Sequence, residues 1–189
     1  VRNVPVAEVD SIERAIVAIG TDYPARHLLP AHRHRRAQVL YAATGIMRVD
    51  TAHGTWTVPI GRAVLIPPGV DHEVLMEGVS TRSLYLEPAA VPWFPERCRV
   101  VAISPMLREL IFAAVDMVPE YNIRGRAGTL SDLVLHELRT LTPVPFEIPL
   151  PRSAELRRLC AIRRSRNRIR QAMRRRPARR RFTSAAETV

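Results

Sequence analysis

From Glu13 to about Glu87 the chain advances in short runs of β-branched and aliphatic residues, each cut off at close intervals by Gly, Pro or Asp. This punctuation is an all-β signature and constrains the fold more than any other feature. Strands are expected at 14–19, 25–29, 37–43, 46–51, 54–58, 63–66, 72–76 and 81–86. Eight short strands in succession suit a closed barrel or jelly roll, architectures that hide their edges. Gly45, Gly54, Gly61 and Gly69 are read as turn formers.

After Ser104 the period changes. Leu107, Leu110, Ile111, Ala114, Val115 and Val118 recur as one face of an amphipathic helix that begins at a Ser-Pro cap. A second helix is expected over 129–141, with Leu130, Leu133, Val134, Leu138 and Leu141 on its apolar side. Such a pair covers the open edge of a barrel or meets the helices of a second subunit; the second packing makes a two-fold homodimer. Residues 143–151 hold four prolines in nine positions and read as a stiff, extended linker. The expected organisation is therefore a barrel over 1–100, a helical element over 101–142, the linker, and a tail over 152–189.

The length of 189 residues suits one domain plus an appendage, and 47% hydrophobic with 25% charged residues is the balance of a folded chain. The formal charge of +11 is unevenly placed. Residues 1–151 carry 15 Arg against 16 acidic residues, whereas 152–189 carry 14 Arg against two Glu. Nucleic-acid attraction by charge therefore concerns the tail alone. Its guanidinium groups could hold phosphate backbone non-specifically; the simpler expectation is a solvated segment, because like charges repel and no apolar face persists beyond Leu156, Leu159 and Cys160. Cys98 and Cys160 lack metal-site or disulfide spacing, and neither a secretory leader nor a membrane-length apolar run is read, so the expected location is the cytoplasm, with no membrane partner.

Two spaced patterns carry the chemistry. The first holds His32, His34, Gln38 and Gly45 as H-x-H-x3-Q-x6-G; the second holds Gly61, Pro67, Gly69, His72 and Met76 as G-x5-P-x-G-x2-H-x3-M. On an unbroken strand His32, His34 and Gln38 share a face, and a turn at Pro67–Gly69 can bring His72 opposite them. Three imidazoles and one amide oxygen around a point suit a divalent ion: Zn, Ni, Fe or Mn. Tyr41, Met47, Trp56 and Tyr85 are added as candidate pocket walls, against the plainer reading that they are core. His27, His53 and His136 are read as structural or solvated.

These strings resemble the two motifs of the cupin superfamily. Gln38 stands where metal-binding cupins usually carry a carboxylate, and Met76 where the second motif usually closes on Asn. The stretch from Arg36 to Val74 resembles more narrowly the sensor domain of AraC-type regulators, with the likeness running from about Ile12 to Cys160. That resemblance implies a cupin barrel binding a small-molecule effector or metal, a dimerising helical element, and transcription regulation through a helix-turn-helix domain. After Cys160 neither the apolar pattern nor the length for such a domain is found, so a module truncated before its DNA reader is expected. The Arg-, Ala- and Pro-rich tail and a chain without Lys match what a shifted reading frame in a GC-rich gene produces; an intact helix-turn-helix is then expected in another frame. The alternative is a free-standing metal-dependent cupin enzyme, a dioxygenase or isomerase, using the same four residues.

Overall fold

The computed structural model describes residues 10–149. The Arg-rich tail and the apolar start expected at Leu156 to Cys160 lie outside the described residues.

Two antiparallel sheets face each other. The first runs in the order β1 (Ile16–Asp22), β8 (Ser80–Leu86), β3 (Ala37–Ala42), β6 (Arg62–Ile66), β9 (Arg99–Ala102) and β10 (Pro143–Val144). The second runs β11 (Glu147–Pro149), β5 (Gly54–Pro59), β4 (Ile46–Thr51), β7 (His72–Glu77) and β2 (Ala25–His32). All eight expected strands are present, with ends shifted by three residues at most. Three further strands, β9 to β11, extend the barrel past residue 100 and draw in the segment read as a linker: Pro143 and Val144 pair with Val101 and Val100, and Glu147 to Pro149 pair with Trp56 to Gly54.

The interior between the sheets is filled by Leu40, Met47, Val49, Trp56, Val58, Val64, Ile66, Val74 and Met76. A second core lies on the outer face of the six-stranded sheet, where Val39, Tyr41, Leu65, Leu84 and Leu86 meet Leu107, Ile111, Val134 and Leu138 of two helices. The six-stranded sheet is thus covered on both faces, and β3 is buried at every position, which is why it reads as an almost continuous apolar run. Each fully buried Leu, Ile or Val contributes about 2 kcal/mol through water exclusion, enough to fasten the helices to the sheet.

The first helix, α1 (Pro105–Val115), begins as expected: the Ser104 hydroxyl accepts from the Leu107 N–H at 3.1 Å, and Pro105 occupies the first turn, where its missing N–H costs nothing. It stops at Val115, so Val118, expected on its apolar face, is 57% exposed. The second helix, α2 (Arg126–Arg139), buries Gly128, Ser131, Val134 and Leu138, while Leu133 is 41% exposed instead of joining the core. Gly128 is required by contact: a Cβ there would fall 1.9 Å from the Ile123 carbonyl oxygen.

Candidate functional site

The three motif histidines converge at one end of the barrel by a route other than a single strand. β2 ends at His32; the chain then turns through Arg33 to Arg36, crosses to the other sheet and resumes as β3. The expectation that His32, His34 and Gln38 share one unbroken strand is therefore corrected. The facing is set instead by a bulge. Between the pairs Leu29↔Val74 and His32↔His72, β2 has two residues, Pro30 and Ala31, against the single Glu73 of β7. One extra residue reverses the alternation, so Leu29 and His32 both face inward. Pro30 fits there because it has no N–H to leave unpaired.

Across that register His32 and His72 have ring centroids 4.3 Å apart; His34 lies 4.8 Å from His32 and 5.2 Å from His72. One ring nitrogen from each falls within 4.8 Å of the others. The Nδ1 of His72 is 2.9 Å from the Val70 carbonyl, and that of His32 is 2.7 Å from the Pro30 carbonyl. A carbonyl only accepts, so Nδ1 carries the proton in both rings, and Nε2 of the neutral ring is left with its lone pair. Among the described residues, His72 Nε2 and both nitrogens of His34 are buried without a partner. Burial, reinforced by the His72 and His32 charges, pushes His34 down to about 3. Burial also takes His72 down to about 4, against the opposing bond to Val70. Both rings are neutral at pH 7, the state in which imidazole offers a lone pair.

Beside them Gln38 donates through Nε2 to the Ser83 hydroxyl and the Tyr85 hydroxyl, each at 3.3 Å, and its Oε1 is buried without a partner. Tyr85 packs edge-on against His34 at 5.2 Å, and its burial raises the phenol above its ordinary range, so it stays protonated. A cavity of about 230 Å³ opens onto this group, walled by Tyr23, Leu29, Leu40, Val74 and Met76, with His32, Gln38, His72, Ser83 and Tyr85 supplying polar atoms. Among the described residues no carboxylate lines it.

The donor set fits a borderline divalent ion. Tetrahedral coordination at 2.0–2.1 Å requires nitrogens about 3.3 Å apart, so the rings would have to close in from their present spacing of up to 4.8 Å. The two carbonyl-anchored imidazoles already have the outer partner that usually orients metal-bound histidine.

Three other candidates lie elsewhere. Tyr41 is on the opposite face of β3, in the helix-side core with Phe112 at 6.5 Å, because its odd position alternates with that of Gln38. Met47 is interior packing that does not line the cavity. Trp56 lines a different cavity, with Thr51 and Arg97. Conversely, Tyr23 and Ser83 were not singled out in the sequence. The signal for Ser83 was available: Ser83 and Tyr85 put hydroxyls on the face of β8 opposite the apolar Leu84 and Leu86.

Two facing sheets of this topology, with the histidine cluster at one end and a helical pair on the outer face, define a cupin-type ligand-binding barrel. The sequence matches the AraC-like ligand binding domain over residues 15–138, and the chain belongs to that family. It is 28% identical over 129 residues to the HTH-type transcriptional regulator NimR of Escherichia coli, an alignment covering 68% of this chain and 47% of that protein. The chain thus spans about half the length of this curated relative. Among solved structures, an apo variant of ToxT from Vibrio cholerae superposes with a TM-score of 0.50 at 9% identity, covering 81% of this chain and 65% of that one, a likeness of fold alone. Among the described residues no helix is long and apolar enough to cross a membrane.

Proposed function

We propose that this barrel is the effector-sensing and dimerisation module of an AraC-type transcription regulator acting in the cytoplasm, and that its effector enters the cavity beside His32, His72 and Gln38. The observation that carries this reading is the set of buried polar atoms left without partners there: His72 Nε2, both His34 nitrogens and Gln38 Oε1. Such atoms are costly to bury unless a ligand or ion completes them. At about 230 Å³ the cavity takes a molecule no larger than a single ring with short substituents. A divalent ion, when bound, is held by His32, His34 and His72 with the Gln38 amide oxygen beside them, and supplies a Lewis-acidic anchor for an oxygen or nitrogen of the effector. Dimerisation falls to the helices, where Met106 of α1 and Leu133 of α2 expose apolar surface on elements already packed against the barrel. DNA contact belongs to a helix-turn-helix region like that named for the relative.

A thermal-shift screen of the chain against metabolites and divalent ions tests the site. At least one compound or ion should raise the melting temperature, and the rise should vanish in His72→Ala and shrink in Gln38→Ala. A rise that survives both substitutions would place the effector elsewhere. Stoichiometric metal with oxygen consumption would favour a metal-dependent cupin enzyme instead.

A further inference from the structure

A second cavity, independent of the effector reading, lies where β4 and β5 meet the segment leading into β9. It measures about 400 Å³ and is lined by Thr51, His53, Trp56 and Val70 on one side and by Glu96, Arg97, Cys98 and Arg99 on the other. We propose that it is a binding site for a small oxyanion, a carboxylate or phosphate on a flat apolar body.

Three observations carry this. Trp56 is 2% exposed, yet among the described residues its indole N–H is buried without a partner. The indole can only donate, so what completes it is an acceptor. Arg97, in the bend before β9, and Arg99, the first residue of β9, both line the cavity, and among the described residues neither enters an ion pair. Glu96 offsets one of their charges, leaving the wall net positive, and the guanidinium fork matches the paired oxygens of a carboxylate or phosphate. Finally, the indole is seated by contact: a Cβ at Gly54 would lie 3.0 Å from Trp56 Cη2, so the glycine lets the ring lie against the strand. The volume falls within the ordinary span of small-molecule sites, and the aromatic wall with Val70 suits an apolar body.

The chain contains two tryptophans, Trp56 and Trp93. In a Trp93→Phe background Trp56 alone reports, and the full chain is titrated at constant ionic strength with benzoate and, separately, with inorganic phosphate. Saturable change in Trp56 emission is expected with at least one probe. Saturation by benzoate alone identifies a carboxylate with an apolar body, and saturation by phosphate alone a phosphorylated ligand. The paired substitution Arg97→Gln with Arg99→Gln, at exposed side chains, should weaken binding by about tenfold or more, the effect of losing one charge-assisted hydrogen bond. Gln38→Ala, in the other cavity, should leave it unchanged. No saturation with either probe, saturation unaltered by the paired arginine substitution, or a response lost with Gln38→Ala would each overturn the proposal.

Discussion

The backbone N–H of Gly69 donates to the carbonyl of His34 across 2.8 Å, tying the turn that delivers His72 to the corner that carries His34. The two sequence patterns are thus joined by a main-chain bond as well as by their imidazoles. Gly69 holds φ at +72°, where an added Cβ meets nothing within 4 Å, so only conformational strain opposes a side chain there. Gly69→Ala should cost about 1–2 kcal/mol and Gly69→Asn less, because Asn tolerates that region. Gly45→Ala should cost more than either, since its Cβ would also fall 2.3 Å from the Gly78 carbonyl oxygen at φ +66°. Urea unfolding of the three variants checks the order.

Arg36 is buried at 1% exposure, donates to the carbonyls of Arg14 (2.8 Å) and Ile12, and pairs with Glu87 at 3.2 Å. Replacing it by Met keeps the apolar stem and strands both carbonyls. The expected loss is about 2–4 kcal/mol of unfolding free energy, measured by denaturant titration.

Gln38→Glu puts a carboxylate where the amide now stands beside the three imidazoles, two of which, His34 and His72, are held neutral by burial. Its charge should tighten Zn or Ni binding by about tenfold or more, read by calorimetry, because the added Coulomb attraction acts at short range in a partly dry site. Without metal the same carboxyl, buried as Gln38 is, should titrate above its ordinary range because burial penalises its charge.

His34 and His72 are held at about 3 and about 4, below the ordinary 6.5. As pH falls below 6.5 the unfolded chain takes up protons that the folded barrel refuses, so stability should decline from pH 6.5 towards 4 and keep declining to about 3. Above 6.5 both states are neutral and this contribution is flat. Melting temperature against pH should show a shallower acid slope in the His34→Gln, His72→Gln double variant.

Tyr41 and Tyr85 provide paired controls on opposite faces of one sheet. Tyr41→Ala should lose about 3–5 kcal/mol through the void left under the helices, yet leave affinity for the compound found by thermal shift unchanged. Tyr85→Phe should keep the fold and alter that affinity, since it removes the hydroxyl that Gln38 touches at 3.3 Å.

The eight strands up to Leu86 were legible because turn chemistry punctuates them, and the Ser-Pro start of α1 because capping is local. β10 and β11 were not, since prolines argue against strands; here they sit at the outer rim of each sheet, where a missing N–H costs no ladder bond. Tyr41 was misplaced because β3 is covered on both sides and its residue types do not reveal which face meets the interior. The histidine cluster was legible as spacing alone. The Pro30 bulge that gives His32 its inward direction left no periodic trace, and Arg97 and Arg99 lie in a segment without a motif.

After the helices, Pro143–Val144 zips onto one sheet and Glu147–Pro149 onto the other, with only Pro145 and Phe146 between them. The stretch therefore works as a clasp across the seam of the barrel. A guest that pried the sheets apart would pull on this clasp together with the equally short crossings at Tyr23–Pro24, Ile60–Gly61 and Gly78–Val79, so filling the interior becomes tension in the backbone beside Trp56.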